Sequence, residues 1–231
     1  MLVKNWMHKP VITIDNDDSL INAMELLQKH KIRRAPVMSE GELVGMITMN
    51  DLKRATDSQA ASLVDPQTIH FVSKIKIKHI LVIRKLITVP FDFTVAETAE
   101  VLIQNKISGV PVVDHDDKLI GIITETDIFK LLTSLTCSKD RGIDFSIMVE
   151  DKTGATKEIE EIIRKHGGRI ISILSSYHKV LKGYRMVYLR MYDLDRNMLD
   201  AIKKELNEKT TLLYMIDYNK KIREIYKTML E

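Results

Sequence analysis

Residues 121–127 read GIITETD, and residues 45–51 read GMITMND. The two heptapeptides share the glycine, the isoleucine at the third position, the threonine and the final aspartate. An apolar run that ends in threonine and meets a helix-start pattern reads as a strand delivering the chain into a helix. The likeness continues outward. Sliding the sequence against itself aligns VITIDNDDSLINAMELLQKHKIRRAPV (11–37) with LITVPFDFTVAETAEVLIQNKISGVPV (86–112). Ile12/Ile87, Thr13/Thr88, Leu27/Leu102, Ile32/Ile107 and Pro36/Pro111 then fall opposite one another. An internal repeat of this length marks two copies of one supersecondary unit.

Each copy carries the same order of signals. An apolar strand at 11–14 or 86–89 leads to a cap-like Asp or Thr. An amphipathic helix follows, with Leu20, Ala23, Met24 and Leu27, or Val95, Ala99, Leu102 and Ile103, at helical spacing. Two short strands come next, APVM and ELVGMIT or GVPVVD and KLIGIIT, with SEG and HDD at their turns. A helix opening at Asn50 or Thr126 closes the unit. One β-α-β-β-α unit leaves an apolar sheet face uncovered, and a pseudo-twofold pair buries two such faces together.

Between the copies, 57–72 (DSQAASLVDPQTIHFV) reads as a linker, and KIKIKHILVIRK fits either a strand or a short helix. From residue 141 a new pattern begins: strand, helix, strand, strand, helix, strand, the βαββαβ order of an antiparallel sheet with helices on one face. Gly167-Gly168 supplies a left-handed stop to its first helix. The final segment NKKIREIYKTMLE places Ile222, Ile225, Tyr226 and Met229 on one helical stripe. The expected class is α+β, with a first repeat at 1–56, a linker at 57–72, a second repeat at 73–136, a βαββαβ domain at 141–216 and a terminal helix at 217–231.

Composition narrows the function classes. The chain has 231 residues, 29% of them charged, and a net charge of +3 with both signs interspersed. No segment concentrates that excess, which argues against nucleic acid as partner. A single cysteine, Cys137, excludes an internal disulfide and a cysteine-built zinc site. No signal-peptide core and no run of roughly twenty apolar residues occurs, so a cytoplasmic, non-membrane protein is expected. DHDD at 114–117 reads as a solvated hairpin turn, DNDD at 15–18 as a helix start, and the seven histidines are scattered; no metal site is expected. No nucleophile–base pair and no GxxxxGK[ST] loop is present, which disfavours an enzyme.

The doubled Gly-h-h-Thr-x-x-Asp, with h-x-x-x-Pro-h-h in the middle of each copy, resembles a tandem pair of CBS domains, the Bateman module. Residues 141–216, with DKTG at the first strand-to-helix loop, resemble an ACT domain. This domain order is similar to that of the acetoin-utilisation regulatory proteins. The resemblance implies an adenosine-containing ligand (AMP, ADP, ATP or S-adenosylmethionine) bound as a regulatory signal rather than as a catalytic cofactor. It also implies a homodimer and a regulated protein partner. An enzyme with a site between domains, or an adaptor with degenerate sites, are the alternatives.

Within the motif, Thr124 stands to donate to a phosphate and Asp127 to accept from ribose hydroxyls at a helix N-terminus that favours anions. Ordinary capping by the same residues is the competing reading. The first-copy equivalents are Thr48, Asn50 and Asp51, and Thr126 completes the second. The resemblance puts the adenine slot at Thr13, Ile14, Arg33, Arg34, Ala35 and Pro36 in one copy, and at Thr88, Val89, Ser108, Gly109, Val110 and Pro111 in the other. Ser108-Gly109 leaves room for a ring, so the second-copy site is expected to be the better one. In the ACT-like region the resemblance points to Asp151, Thr153 and Gly154 as ligand residues, against a plain turning role for that loop.

Overall fold

The computed structural model describes residues 1–59, 74–81, 86–136, 142–192 and 194–227. Cys137, Met229 and the 60–72 part of the expected linker lie outside them. The chain forms two compact units, Met1–Lys130 and Leu131–Glu231.

The first unit contains the first repeat and the second as far as Lys130, within its closing helix. The first copy runs β1 (Ile14–Asp15), α1 (Leu20–Lys29), β2 (Arg34–Ser39), β3 (Glu42–Thr48) and α2 (Met49–Gln59). After one helical turn, α3 (Ile77–Ile80), the second copy runs β4 (Val89–Pro90), α4 (Val95–Asn105), β5 (Gly109–Val113), β6 (Leu119–Thr124) and α5 (Glu125–Leu135). Each copy has a three-stranded sheet, ordered β1-β2-β3 and β4-β5-β6. Its first strand is parallel to the second and the second antiparallel to the third. Ile14, Leu20, Leu27, Val37, Ile47 and Leu52 form a core for the first copy. Each such side chain contributes roughly 1.5–3 kcal/mol when fully buried. Val89, Val95, Leu102, Val110, Val112 and Ile123 are buried at the matching places of the second.

Four expectations change. The first strands are two residues long rather than four, because only Ile14 and Val89, with the residue after each, reach β2 and β5, at Val37 and Val112. Residues 57–59 belong to α2, so the linker starts later. Ile77–Ile80 is helical, which decides the ambiguity of KIKIKHILVIRK for that turn. Of the expected helix stripe, Ile103 is exposed and Thr98 is buried in its stead.

An exchange of arms joins the copies. Val3 N–H donates to Phe93 O at 2.8 Å and Lys4 N–H to Phe91 O at 3.0 Å; likewise Ile77 N–H donates to Asp18 O at 3.0 Å and Lys78 N–H to Asn16 O at 2.8 Å. The segment leading into each repeat thus docks on the other repeat, burying Val3 and Ile77 completely. Lys76 and Lys78 also reach Asp17 at 2.8 and 2.7 Å, and their hydrogen bonds lower its pKa to about 2. The repeated glycines make this crossing possible. A Cβ on Gly121 would lie 2.8 Å from Met7 Cγ, and one on Gly45 would lie 3.0 Å from Leu81 Cδ1.

Helix starts are set locally. Ser19 caps α1 by accepting from Asn22 N–H at 3.1 Å. Thr94 and Glu97 form a reciprocal capping box on α4, with bonds of 2.8 and 3.1 Å.

The second unit contains β7 (Ile143–Glu150), α6 (Ala155–Lys165), β8 (Arg169–Ser176), β9 (Tyr184–Tyr192), α7 (Leu199–Lys209), β10 (Thr211–Asp217) and β11 (Ile222–Ile225). The antiparallel sheet is ordered β11-β10-β7-β9-β8. The expected βαββαβ succession is therefore present. Ile159, Ile162 and Ile163 of α6 and Ile202 and Leu206 of α7 share one core with Phe145, Ile147, Val187 and Leu189. Gly167, at φ +78°, ends α6 as the sequence requires. The terminal helix at 217–231 is corrected: Ile222–Ile225 is a strand. Asp217 Oδ1 accepts from Asn219 N–H and Lys220 N–H at 2.9 and 3.1 Å, and Lys221 takes φ +57°, so the chain reverses there. Four residues then pair antiparallel with the open edge of β10.

Candidate functional site

The two Thr-x-x-Asp turns have one geometry. Asp127 Oδ2 accepts from Thr124 N–H at 3.0 Å and from the Thr124 hydroxyl at 2.7 Å; Asp51 Oδ2 accepts from Thr48 N–H at 3.0 Å and its hydroxyl at 2.6 Å. The motif is thus a self-contained tie between strand end and first helical turn. The remaining oxygens differ. Asp127 Oδ1 accepts from His8 Nε2 at 2.7 Å, and Asp51 Oδ1 accepts from Arg54 at 2.6 Å. Burial works to raise both carboxyls. For Asp127 the Thr124 donors and His8 outweigh it, for Asp51 the Thr48 donors and Arg54, and both pKa values are lowered.

A cavity opens beside each turn. The first, of about 420 Å³, is lined by Ile12, Ile32, Lys31, Arg33 and Arg34 from the first copy and by Ser108, Ile122, Thr124, Glu125 and Thr126 from the second, with His8, Lys9 and Pro10 on the arm. The second, of about 240 Å³, lies beside Thr48 and Asp51 and is walled by Met46, Ile47, Ile80, Leu81, Leu86, Ile87 and Ile107, with Gly45, Asn105, Gly109 and Arg34. Only the first falls in the 300–1,000 Å³ range of small-molecule sites. Four cationic side chains, Lys9, Lys31, Arg33 and Arg34, face it against one carboxylate, Glu125. The N-terminus of α5 adds its partial positive charge.

The sequence-derived site residues divide. Arg33, Arg34, Ser108, Thr124 and Thr126 line the larger cavity; Arg34, Thr48, Asp51 and Gly109 line the smaller. Ile14, Ala35, Val89 and Val110 are fully buried core residues, and Pro36 and Pro111 are buried in β2 and β5. Thr13 and Thr88 face neither cavity; the lining is one residue upstream, at Ile12 and Ile87, where the backbone has not yet entered the sheet. Asn50 lies instead on an open surface with Lys53 and Arg54. Asp127, 2% exposed, accepts from Thr124 and His8 and is not among the residues that line the larger cavity, whereas Asp51, with the same tie, lines the smaller one. The Thr124 hydroxyl donates to Asp127 rather than outward.

The slots also cross the repeats, where the sequence reading kept each within one copy. Register explains this. Arg34 pairs with Thr48 and Gly109 with Thr124, and the two pairs abut: a Cβ on Gly109 would lie 3.1 Å from both Arg34 Cδ and Thr124 Cγ2. Each turn therefore faces the pre-strand residues of the other copy. The arm residues His8–Pro10 were missed; a faint signal, Val3 and Met7 matching Ile77 and Leu81 just outside the repeat, could have found them.

In the second unit, Asp151 lies 3.7 Å from Arg185 and accepts from the Tyr177 hydroxyl at 3.3 Å. Gly154 takes φ +90° immediately before α6, and Thr153 is exposed. This is the geometry of a turning loop. Among the described residues no group of three or more His, Cys, Asp or Glu side chains is placed to hold a metal, and no helix is long and apolar enough to cross a membrane. In DHDD, Asp114 accepts from Asp116 and Lys118 N–H at 2.9 Å and closes the β5–β6 turn.

Duplicated units of this topology, each with a tied Thr-x-x-Asp turn beside a cavity, define a tandem α+β module. The CBS domain model matches residues 3–58 and 77–134, and a CBS domain-containing protein of Dictyostelium discoideum is 34% identical over 139 residues, covering 57% of this chain and 91% of that protein; the chain belongs to the CBS-domain family. The match begins at the docking arms and does not extend into the βαββαβ region. An uncharacterized protein of Methanocaldococcus jannaschii is 30% identical over 155 residues, covering 57% of this chain and 91% of that protein. The crystallised CBS domain pair of protein MJ0100, in complex with 5'-methylthioadenosine and S-adenosyl-L-methionine, is 34% identical, covering 58% of this chain and 97% of that one, with a TM-score of 0.49. A Vibrio cholerae protein assigned to acetoin utilization agrees in fold at 22% identity and a TM-score of 0.50, covering 60% and 95%.

Proposed function

We propose that the chain is a regulatory binding protein whose CBS pair takes an adenine nucleotide in the larger cavity. One observation carries the reading: four cations and a helix N-terminus converge on a cavity of ligand size whose remaining wall includes Ile12, Ile32, Ile122 and Pro10. The apolar wall suits a purine face, and the cations suit phosphate. Glu125 and Thr126, at the exposed start of α5, take the place of Asp127 as partners for the ribose hydroxyls. The βαββαβ unit is an ACT-type domain in this reading, serving dimer formation or amino-acid sensing and relaying occupancy to a regulated protein.

A thermal-shift panel of AMP, ADP, ATP, S-adenosylmethionine and adenosine tests the reading. Phosphorylated ligands raise the melting temperature and adenosine does so far less, since stabilisation grows with ligand concentration over Kd. Equal shifts for adenosine and AMP, or none for any of the five, contradict it. Unchanged ATP and AMP after prolonged incubation separates a sensor from an enzyme.

A further inference from the structure

Arg34 belongs to both cavities. Its guanidinium donates to the Ser108 hydroxyl, on the wall of the larger one, while its backbone pairs with Thr48, on the wall of the smaller. Glu125 in one cavity and Asp51 in the other are the carboxylates that act on it, and burial, its largest influence, lowers its pKa. Gly109 leaves the space through which the side chain passes. Among the described residues the smaller cavity has no other cationic wall residue, whereas the larger keeps Lys9, Lys31 and Arg33.

We infer that Arg34 couples the two cavities, so that an anionic ligand held in the larger one lowers the affinity of the smaller one for a second anion. The inference rests on the nucleotide-binding reading above. One guanidinium donates its planar fork to one phosphate at a time. A phosphate beside Ser108 draws that fork to its own side and away from the smaller cavity. A second anion there loses the Arg34 fork, while Asp51, already tied by Thr48 and Arg54, offers it no donor. Linkage requires the reverse effect to be equal. An uncharged nucleoside, which makes no claim on the guanidinium, is bound in the smaller cavity without this penalty.

Isoleucine methyl NMR separates the sites, because Ile12 and Ile122 report the larger cavity and Ile80, Ile87 and Ile107 the smaller. AMP is titrated into the wild type and into Thr126→Trp, whose indole fills the larger cavity from an exposed helix position. The smaller-cavity methyls should reach half-saturation at an AMP concentration at least about fivefold lower in Thr126→Trp than in the wild type, the lower end of typical coupling. Adding Arg34→Gln should abolish that difference, and titration with adenosine should never show it. Equal half-saturation in wild type and Thr126→Trp overturns the coupling while leaving nucleotide binding at the larger cavity standing. Silence of both methyl sets towards AMP overturns the nucleotide reading and the coupling with it.

Discussion

The two repeats share a fold, a register and a tied turn, yet they surround cavities of opposite character. One, of about 420 Å³, is lined by four cationic side chains; the other, of about 240 Å³, is mostly aliphatic and shares only Arg34 with it among the cations of the described residues. The difference does not come from Thr-x-x-Asp, which is geometrically alike in both copies. It comes from the residues that each turn meets across the pair: Lys31, Ile32 and Arg33 in one case, Asn105 and Ile107 in the other. Duplication preserved the frame, and divergence of the loop before the second strand set what each site can hold.

The arms offer the largest expected effect. Gly121→Val drives side-chain carbons into Met7 and should destabilise by about 1–3 kcal/mol, the usual cost of overpacking. Gly45→Ala meets only the end of Leu81 at 3.0 Å or more, so it should cost less. Urea denaturation compares them, and a smaller loss at Gly121 than at Gly45 would break the proposed role of the crossing.

Cavity charge comes next. Arg33→Ala should weaken AMP by roughly tenfold, as expected for one charge-assisted hydrogen bond, and leave adenosine nearly unchanged. Calorimetry with both ligands decides. Equal losses would mean that Arg33 acts through packing.

The tied carboxylates make a related prediction about pH. Asp127 and Asp51 have folded pKa values below their unfolded ones. Their stabilisation is therefore complete above the ordinary carboxylate value of about 4 and fades as pH falls through the folded values. Asp127→Asn should cost about 1–3 kcal/mol at neutral pH and make the acid loss shallower. An unchanged acid slope in that variant would show that the tie does not titrate.

The smallest effect concerns helix starts. Thr94→Ala should cost about 1 kcal/mol, and more than Ser19→Ala, because it undoes both halves of the α4 capping box. Equal costs would mean that the reciprocal bond is redundant.

The duplicated fold was legible because its signals are local. Gly, Ile, Thr and Asp recur at fixed spacing, and helical periodicity picked out Leu20, Ala23 and Leu27. The site was only half legible, since the cavity walls come from opposite copies and a pattern read along one copy does not show which residues of the other face it. The role of Asp127 was not legible, because a residue that caps a helix and one that binds a ribose share the same sequence signature; in the structure its oxygens accept from Thr124 and His8. At the C-terminus, Ile222, Ile225 and Tyr226 fit a helical stripe, but the open edge of β10 and the turn at Asp217 favour a strand. Tertiary pairing overrode local spacing there.

The most direct measurement is a crystal structure of the protein with AMP. The phosphate should lie among Lys31, Arg33, Arg34 and the first turn of α5, with the purine against Ile12 and Ile122. AMP bound at saturating concentration in any other place, with that cavity empty, would contradict the account.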